Sequence, residues 1–481
     1  MFRRRRKTKC EYPCHIAAAS LAEELGVKQA QYNVGGCYEM GRGIEKNMDK
    51  AIYWYTKAAE QGLEEAKRNL IRIELQKSNT QEDITSYLPS YVWEGERDTA
   101  IKDEFGVEYS ADGKRLLRAP KNLKEYTVKE GTQVICDCAF AMCEELSHIT
   151  IPEGVLVIGG FYNCKKLETI QIPNSTREIL EDAFKSSGLK SITIPDNVTA
   201  LGNHAFLYCT NLESITIGKN IQVIEDETFM WCERLKHIEV TVGNKRYDSR
   251  DKCNAIIETE TNTIVVGSNN TIIPNTITAI RDKAFWGRRV MITLTIPGNV
   301  KTIGNKVFFR CDKLEEVIIK NGVKSIGTET FEECKNIKSV KLSETLEDIG
   351  AEAFRGCDSI KEINFPNSLK TIGELAFAGC REITELPLPD SITRIEDHAF
   401  SGCANVTSLS IPKGIKNIAY SSFNGLHKLT KITIPDGVRI IGPYAFAGCE
   451  NLEKPAIPTS VKLIATTAFD KTEDLRWRCF P

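Results

Sequence analysis

The stretch "LESITIGKNIQVIEDETFMWCERL" (residues 212–235) runs from one leucine to the equivalent leucine of the next unit. Ile215 and Ile217 alternate with Ser214 and Thr216. The isoleucines therefore point one way and the hydroxyl residues the other, as the period-two geometry of a strand requires. Ile221 and Ile224 follow in a second extended segment, and Phe229 and Cys232 close the coil. A ten-residue helix has no room in a coil that already holds two extended segments. About eight inward positions per coil cannot form a core alone, but stacked coils bury a continuous one. The stretch predicts a mainly β solenoid, with at most a short helical turn near the phenylalanine.

Phenylalanines mark the same place along the chain, at 140, 161, 184, 206, 229, 285, 308, 331, 354, 377, 400, 423, 446 and 469. The last nine are 23 residues apart, the earlier steps are 21, 23, 22 and 23, and one step is 56. A period of 20–29 with a leucine/isoleucine motif is a solenoid signature. Fourteen coils at ~4.8 Å each predict a stack roughly 65 Å long. "IP" recurs after the first extended segment, at 151–152, 172–173, 194–195, 296–297, 411–412 and 434–435. Proline cannot donate to a central ladder, so it marks where that strand stops.

The long step holds "AIIETETNTIVVG", two β-prone runs around a polar turn, which predicts a β-hairpin insertion at 241–273. "VEYSADGKRLLRAP" (107–120) resembles it and would cover the open first rung, because an uncovered solenoid end is an aggregation edge. Residues 107–138 are read as this cap hairpin and the first coil, and 139–481 as the solenoid. "LRWRCFP" (475–481) falls in strand register and would close the far end, with Arg478 in an inward slot.

The N-terminal part has another period. Gly26-Ala30-Asn33 matches Gly62-Ala66-Asn69 with an offset of 36. Ala51, Trp54, Tyr55, Ala58 and Ala59 have helical spacing, with small residues where helices approach closely. Residues 17–70 are read as this helical repeat, 1–16 as a basic flexible tail and 71–106 as a linker or irregular bridge.

The coil L-x-x-I-x-I-P-x-x-V-x-x-I-G-x-x-A-F-x-x-C resembles the BspA-like class of bacterial leucine-rich repeats over roughly 107–481. It departs from plant or receptor leucine-rich repeats, since the column after the strand holds Gly154, Asn197, Ser368 and Gly437. The N-terminal unit resembles a Sel-one-like repeat, a relative of tetratricopeptide repeats. Its marks are Gly35, Tyr38, Gly41, Gly43, Lys50, Ala51, Trp54, Tyr55, Ala58, Ala59 and Gly62. One unit and part of a second are few for such an array, so the unit either packs on the solenoid's cap or belongs to a longer array. The resemblance implies a non-enzymatic interaction protein. Several BspA-like proteins are surface adhesins that bind host matrix or other cells.

The chain has 481 residues, 41% hydrophobic and 27% charged, with a formal net charge of -2 and a pI near 6.4. That gives no chain-wide basic footprint for nucleic acid. No run of 18 apolar residues is present, so no membrane span is expected. The start, with the basic run Arg3–Lys9, does not read as a secretory signal. The expectation is therefore a cytoplasmic location, with cell surface or secretion as the alternative that the resemblance implies.

Ten of the 17 cysteines stand three residues after a repeat phenylalanine, as Cys403 and Cys449 do. Zinc needs four ligands converging on one point, and a stacked column offers one per rung in a line. Disulfides need Cβ atoms near 3.8 Å, closer than one strand spacing. Ser187, Arg288, Leu426 and Thr472 occupy the slot elsewhere, which suits packing. The column is read as buried structural thiol. Cys10, Cys14 and His15 have no second metal-binding pair. Cys136 is assigned to the glycine slot of the first coil and Cys138 to an exposed one. None of the six histidines has metal spacing, and no phosphate loop, dinucleotide fingerprint or nucleophile elbow occurs. No enzyme activity, cofactor or metal is expected.

What remains is surface. The outward strand column is Thr150, Gln171, Thr193, Thr216, Glu239, Thr295, Ile318, Lys341, Asn364, Pro387, Ser410 and Thr433, with a parallel column two residues earlier from His148 to Lys431. Solenoids use such faces for partners, although threonine and serine also suit any solvated strand. Trp231 and Trp286 are possible anchors, or pack under the hairpin. The expectation is a monomeric protein-protein interaction scaffold. It is either an adhesion protein or an intracellular adaptor joining partners through its two repeat types.

Overall fold

The computed structural model describes residues 28–40, 44–63 and 96–471, with isolated positions between 66 and 92. The basic tail, the Cys10/Cys14/His15 cluster, most of the 71–106 bridge and the 475–481 strand lie outside the described residues. The chain divides into two compact units, one helical and one the solenoid.

The helical unit contains α1 (Lys28–Met40) and α2 (Met48–Glu60). Asn47 caps α2, its side-chain oxygen accepting from the Lys50 N–H at 2.9 Å, which satisfies one of the orphan donors of a helix start. Ala51, Trp54, Tyr55 and Ala58 are the buried stripe of α2. Gly35 lets the helices meet. A Cβ there would lie 2.7 Å from the Tyr55 ring, whose hydroxyl donates to Glu39 at 2.6 Å.

The second unit is a β-solenoid of about 15 turns with ~23-residue coils. Most turns contribute two short strands to two parallel stacks. In one stack, Ile192, Ile215 and Ile238 pair in register, as do Val317 and Val340. In the other, Ala279, Thr302, Ser325, Asp348, Thr371 and Arg394 follow each other. Every outward strand shows the same alternation, as in His148–Thr150, where only Ile149 is buried. The phenylalanines stack nearly flat along the axis. Phe206 and Phe229 are 5.3 Å apart at 2°, and Phe308 and Phe331 are 5.1 Å apart at 7°. Glycine after the second strand is a close-approach requirement: a Cβ on Gly327 would lie 2.4 Å from the Gly304 carbonyl of the preceding turn.

The fifteenth turn is the one without a phenylalanine. Its first strand is His237–Val240, and its return strand is Thr263–Gly267, which pairs antiparallel with Ala255–Glu258 and parallel with Ala279–Ile280. Gly267 stands near the vacant phenylalanine slot, where a Cβ would be 2.0 Å from the Phe285 ring. The start of the solenoid is built alike. Ile101–Lys102, Glu108–Tyr109 and Arg115–Arg118 run antiparallel, and the last pairs parallel with Val134–Ile135. The molecule is thus two parallel blocks, each opened by an antiparallel cap.

The seam between the blocks is stapled by one turn. Arg281 bonds Asp226 at 3.1 Å and the Ile224 carbonyl at 3.3 Å, Lys283 bonds Glu227 at 2.6 Å, and Arg289 bonds Glu233 at 3.0 Å. Arg288 is 1% exposed and donates to the carbonyls of Gly267, Phe229 and Cys232 at 2.7, 3.0 and 3.3 Å. Trp231 lies against Gly287 and edge-on to Trp286 at 6.2 Å. Both tryptophans are therefore half-buried in the seam.

Candidate functional site

The thiols come first, because nucleophiles or ligands would stand out here. Thirteen of the cysteines in the solenoid are free, and all but Cys138 are buried. From Cys164 onward each thiol of the column donates to the phenylalanine carbonyl of an earlier turn, and Cys143, in the first coil, donates to the Pro120 carbonyl. Cys334 reaches Phe308 at 3.0 Å, Cys403 reaches Phe377 at 3.3 Å and Cys449 reaches Phe423 at 3.4 Å. Burial pushes the Cys403 and Cys449 thiols up to about 12. A thiol held protonated is neither a nucleophile nor a metal ligand. Arg288 occupies the same slot and performs the same task on the Gly267 carbonyl of the expanded turn, and its longer reach adds the Phe229 and Cys232 carbonyls of the turn before. Among the described residues, no three His, Cys, Asp or Glu side chains are placed to hold a metal, and no helix is long and apolar enough to cross a membrane.

The outward strand column is the remaining candidate. Thr150, Thr193, Glu239, Thr295, Lys341, Asn364, Ser410 and Thr433 are exposed, and Thr216 is half-buried. The parallel ladder aligns Thr193, Thr216 and Glu239, then Thr295, Ile318 and Lys341, then Ser410 and Thr433. Neighbouring charges cancel between turns: Glu168 pairs with Lys190 at 2.6 Å and Glu315 with Lys338 at 2.8 Å. Such exposed pairs contribute little to stability and leave the face near neutral.

The seam adds residues that the period concealed. Ile277 donates to the Pro274 carbonyl as Val300 donates to that of Pro297, so "TIIP" (271–274) is the strand motif of the turn closed by Phe285. Ile272 therefore belongs to the outward column, two residues before its proline as Thr295 is, and is 76% exposed. Ile292, just before the next strand (Thr293–Ile296), is 59% exposed, and Ile318 follows, half-buried. The recurrent I-P dipeptide was the signal that could have found Ile272, but the 56-residue step broke the count.

A stack of parallel 23-residue coils, with no reactive group in its core and a long polar strand face, is a leucine-rich repeat scaffold. The chain belongs to the BspA type leucine rich repeat family, which it matches in six copies over residues 116–236, 266–384 and 370–477; residues 28–63 match the Sel1 repeat. The search of curated proteins finds no match. A leucine-rich repeat protein from Bacteroides ovatus has a similar structure, with TM-score 0.55, 24% identity, 75% of this chain covered and 91% of that one. One from Eubacterium ventriosum gives TM-score 0.50 at 19% identity, covering 79% of this chain and 94% of that one.

Proposed function

We propose that this chain is a protein-binding scaffold that docks a partner protein on its outward strand face, centred on the seam. The observation that carries this is the placement of Ile272, Ile292 and Ile318 among columns held mostly by polar and charged residues. An apolar centre within a polar rim is how protein interfaces are built. Burying an exposed isoleucine against a partner contributes about 1.5–3 kcal/mol. Among the described residues this strand face presents no acid, base or nucleophile pair, so no reaction is assigned to it. A photo-crosslinking residue at Thr295, compared with one at Asp348 on the other strand stack, tests the reading in the host cell. Adducts with a protein at 295 and not at 348 are expected; the reverse pattern removes the proposal.

Adhesion at a cell surface is the finer reading, and the family resemblance supports it. Protease treatment of intact cells tests it. Loss of the chain from intact cells is expected, and a fully protected pool favours the intracellular adaptor instead.

A further inference from the structure

The second strand stack carries a column of its own, formed by the residue after the inward valine, leucine or isoleucine. It reads Lys301, Lys324, Glu347, Lys370, Thr393, Lys416, Arg439 and Lys462. Two shallow hollows open beside it. The first, about 430 Å³, lies among Lys324, Glu344, Glu347 and Lys370, and is internally neutralised, with Lys324 and Glu347 3.0 Å apart. The second, about 510 Å³, is lined by Lys416, Gly437, Arg439, Ser460 and Lys462. It has three cations and no carboxylate. Asp436, the acidic residue next in sequence, is not part of the lining. Among the described residues none of the three cations has a carboxylate partner, whereas the neighbouring Lys413 is held by Asp390 at 2.7 Å.

We propose that Lys416, Arg439 and Lys462 form a second docking groove that takes an acidic amphipathic helix of a partner protein, laid along the solenoid axis. The backbone ladder sets the spacing, because Arg439 N–H donates to the Lys416 carbonyl at 2.7 Å and Lys462 N–H to that of Arg439 at 2.8 Å. The backbone positions that carry successive cations therefore stand about 4.8 Å apart. Carboxylates three or four residues apart on a helix are about 5–6 Å apart at Cβ, whereas same-face positions of an extended peptide are about 6.6 Å apart. The helix is the better match.

Apolar residues beside the cations narrow the class. Ile440 and Leu463 are paired in register and are 36% and 59% exposed. A helix with an acidic edge and an apolar face satisfies both columns, while a sulfated glycan would leave the aliphatic pair against hydrated polymer. No aromatic ring lines the hollow, so a nucleic-acid base has nothing there to stack on. This groove stands independently of the strand-face reading.

The test uses the full chain and a fluorescent synthetic peptide about twenty residues long, long enough to form a helix in water. Its glutamates recur four residues apart, with leucines on the opposite face. Saturable binding that weakens with salt is expected. The triple variant Lys416→Gln, Arg439→Gln, Lys462→Gln should weaken it about tenfold or more and flatten the salt dependence. Ile440→Ser with Leu463→Ser should weaken it too, and a scrambled peptide of the same composition should bind less tightly. Ile272→Asp on the strand face should leave peptide binding unchanged. All substituted groove residues are exposed, so thermal midpoints should not move; Arg439→Gln alone serves if the triple variant does shift. The proposal is overturned if the triple variant binds the peptide as the parent does, or if the scrambled peptide binds equally well. It is also overturned if heparin, RNA or anionic vesicles bind while the peptide does not.

Discussion

At the residue scale, the cysteine column is a packing device with a hydrogen bond attached. Replacing Cys403 or Cys449 by alanine removes a buried sulfur and one weak donor, a loss of about 1–2 kcal/mol each. A lower urea midpoint with partner binding intact is the expected outcome; loss of binding at unchanged stability would give the thiols a role that their geometry does not show. Glu332 contributes a pH dependence of stability near neutrality. Burial, then its bond to Glu329 and the nearby Glu352, raise its carboxyl to about 7, against an ordinary 4.5, with Arg355 opposing. The folded chain thus holds a proton that the unfolded chain has released, and stability falls as pH rises from about 4.5 to about 7. Glu332→Gln should flatten that part of the urea-midpoint profile and raise stability above pH 7 by about 2–3 kcal/mol.

At the element scale, the antiparallel strands deserve comparison with the parallel ones they open. A parallel stack needs a covered first edge, and both caps supply it by turning the chain back on itself. Ala255–Glu258 and Thr263–Gly267 do this in mid-chain, and Gly267 admits the Phe285 ring. Gly267→Ala should cost about 1–3 kcal/mol, the usual penalty for overpacking. Thermal unfolding of the full chain measures it, and an unchanged midpoint would mean that the hairpin yields easily. The hairpin was legible in sequence because "AIIETETNTIVVG" has two β-prone runs around a polar turn. Its part as a turn of the solenoid was not, since pairing of Thr263 with Ala279 is a long-range choice that no local pattern encodes.

At the scale of the whole molecule, cooperativity between the two blocks passes through the seam. Arg288 bonds both blocks from inside the core. Arg288→Met roughly keeps the volume but removes the hydrogen bonds to the Gly267, Phe229 and Cys232 carbonyls, the last two of which keep the Cys232 and Leu235 N–H groups; each lost bond costs about 0.5–1.5 kcal/mol. Solenoid stability is a sum of unit and interface terms, so weakening one interface should split urea unfolding into two transitions. A single transition would show that the blocks remain coupled by other contacts. Acid acts on the same seam. The Glu227 carboxylate is held at about 2 by His204 first and then Lys283. Its contribution is present above about pH 4.5 and is lost as pH falls toward 2, so the two transitions of the variant should separate further in acid.

The sequence by itself determined the coil, its period, its inward residues and the outward columns. Each depends only on alternation and on a phenylalanine that recurs, and stacking identical units leaves one way to bury them. It also determined that the cysteines are structural, because a linear column cannot converge. Tertiary structure decided what happens where the period fails. Ile272 joins the strand face and Arg288 takes over from a cysteine because the expanded turn moves their neighbours by a distance no local motif records. It likewise decided which lysines of a regular column are neutralised, since an ion pair between turns depends on what the adjacent turn places opposite. Lys324 meets Glu347, whereas Lys416, Arg439 and Lys462 have no carboxylate opposite them among the described residues.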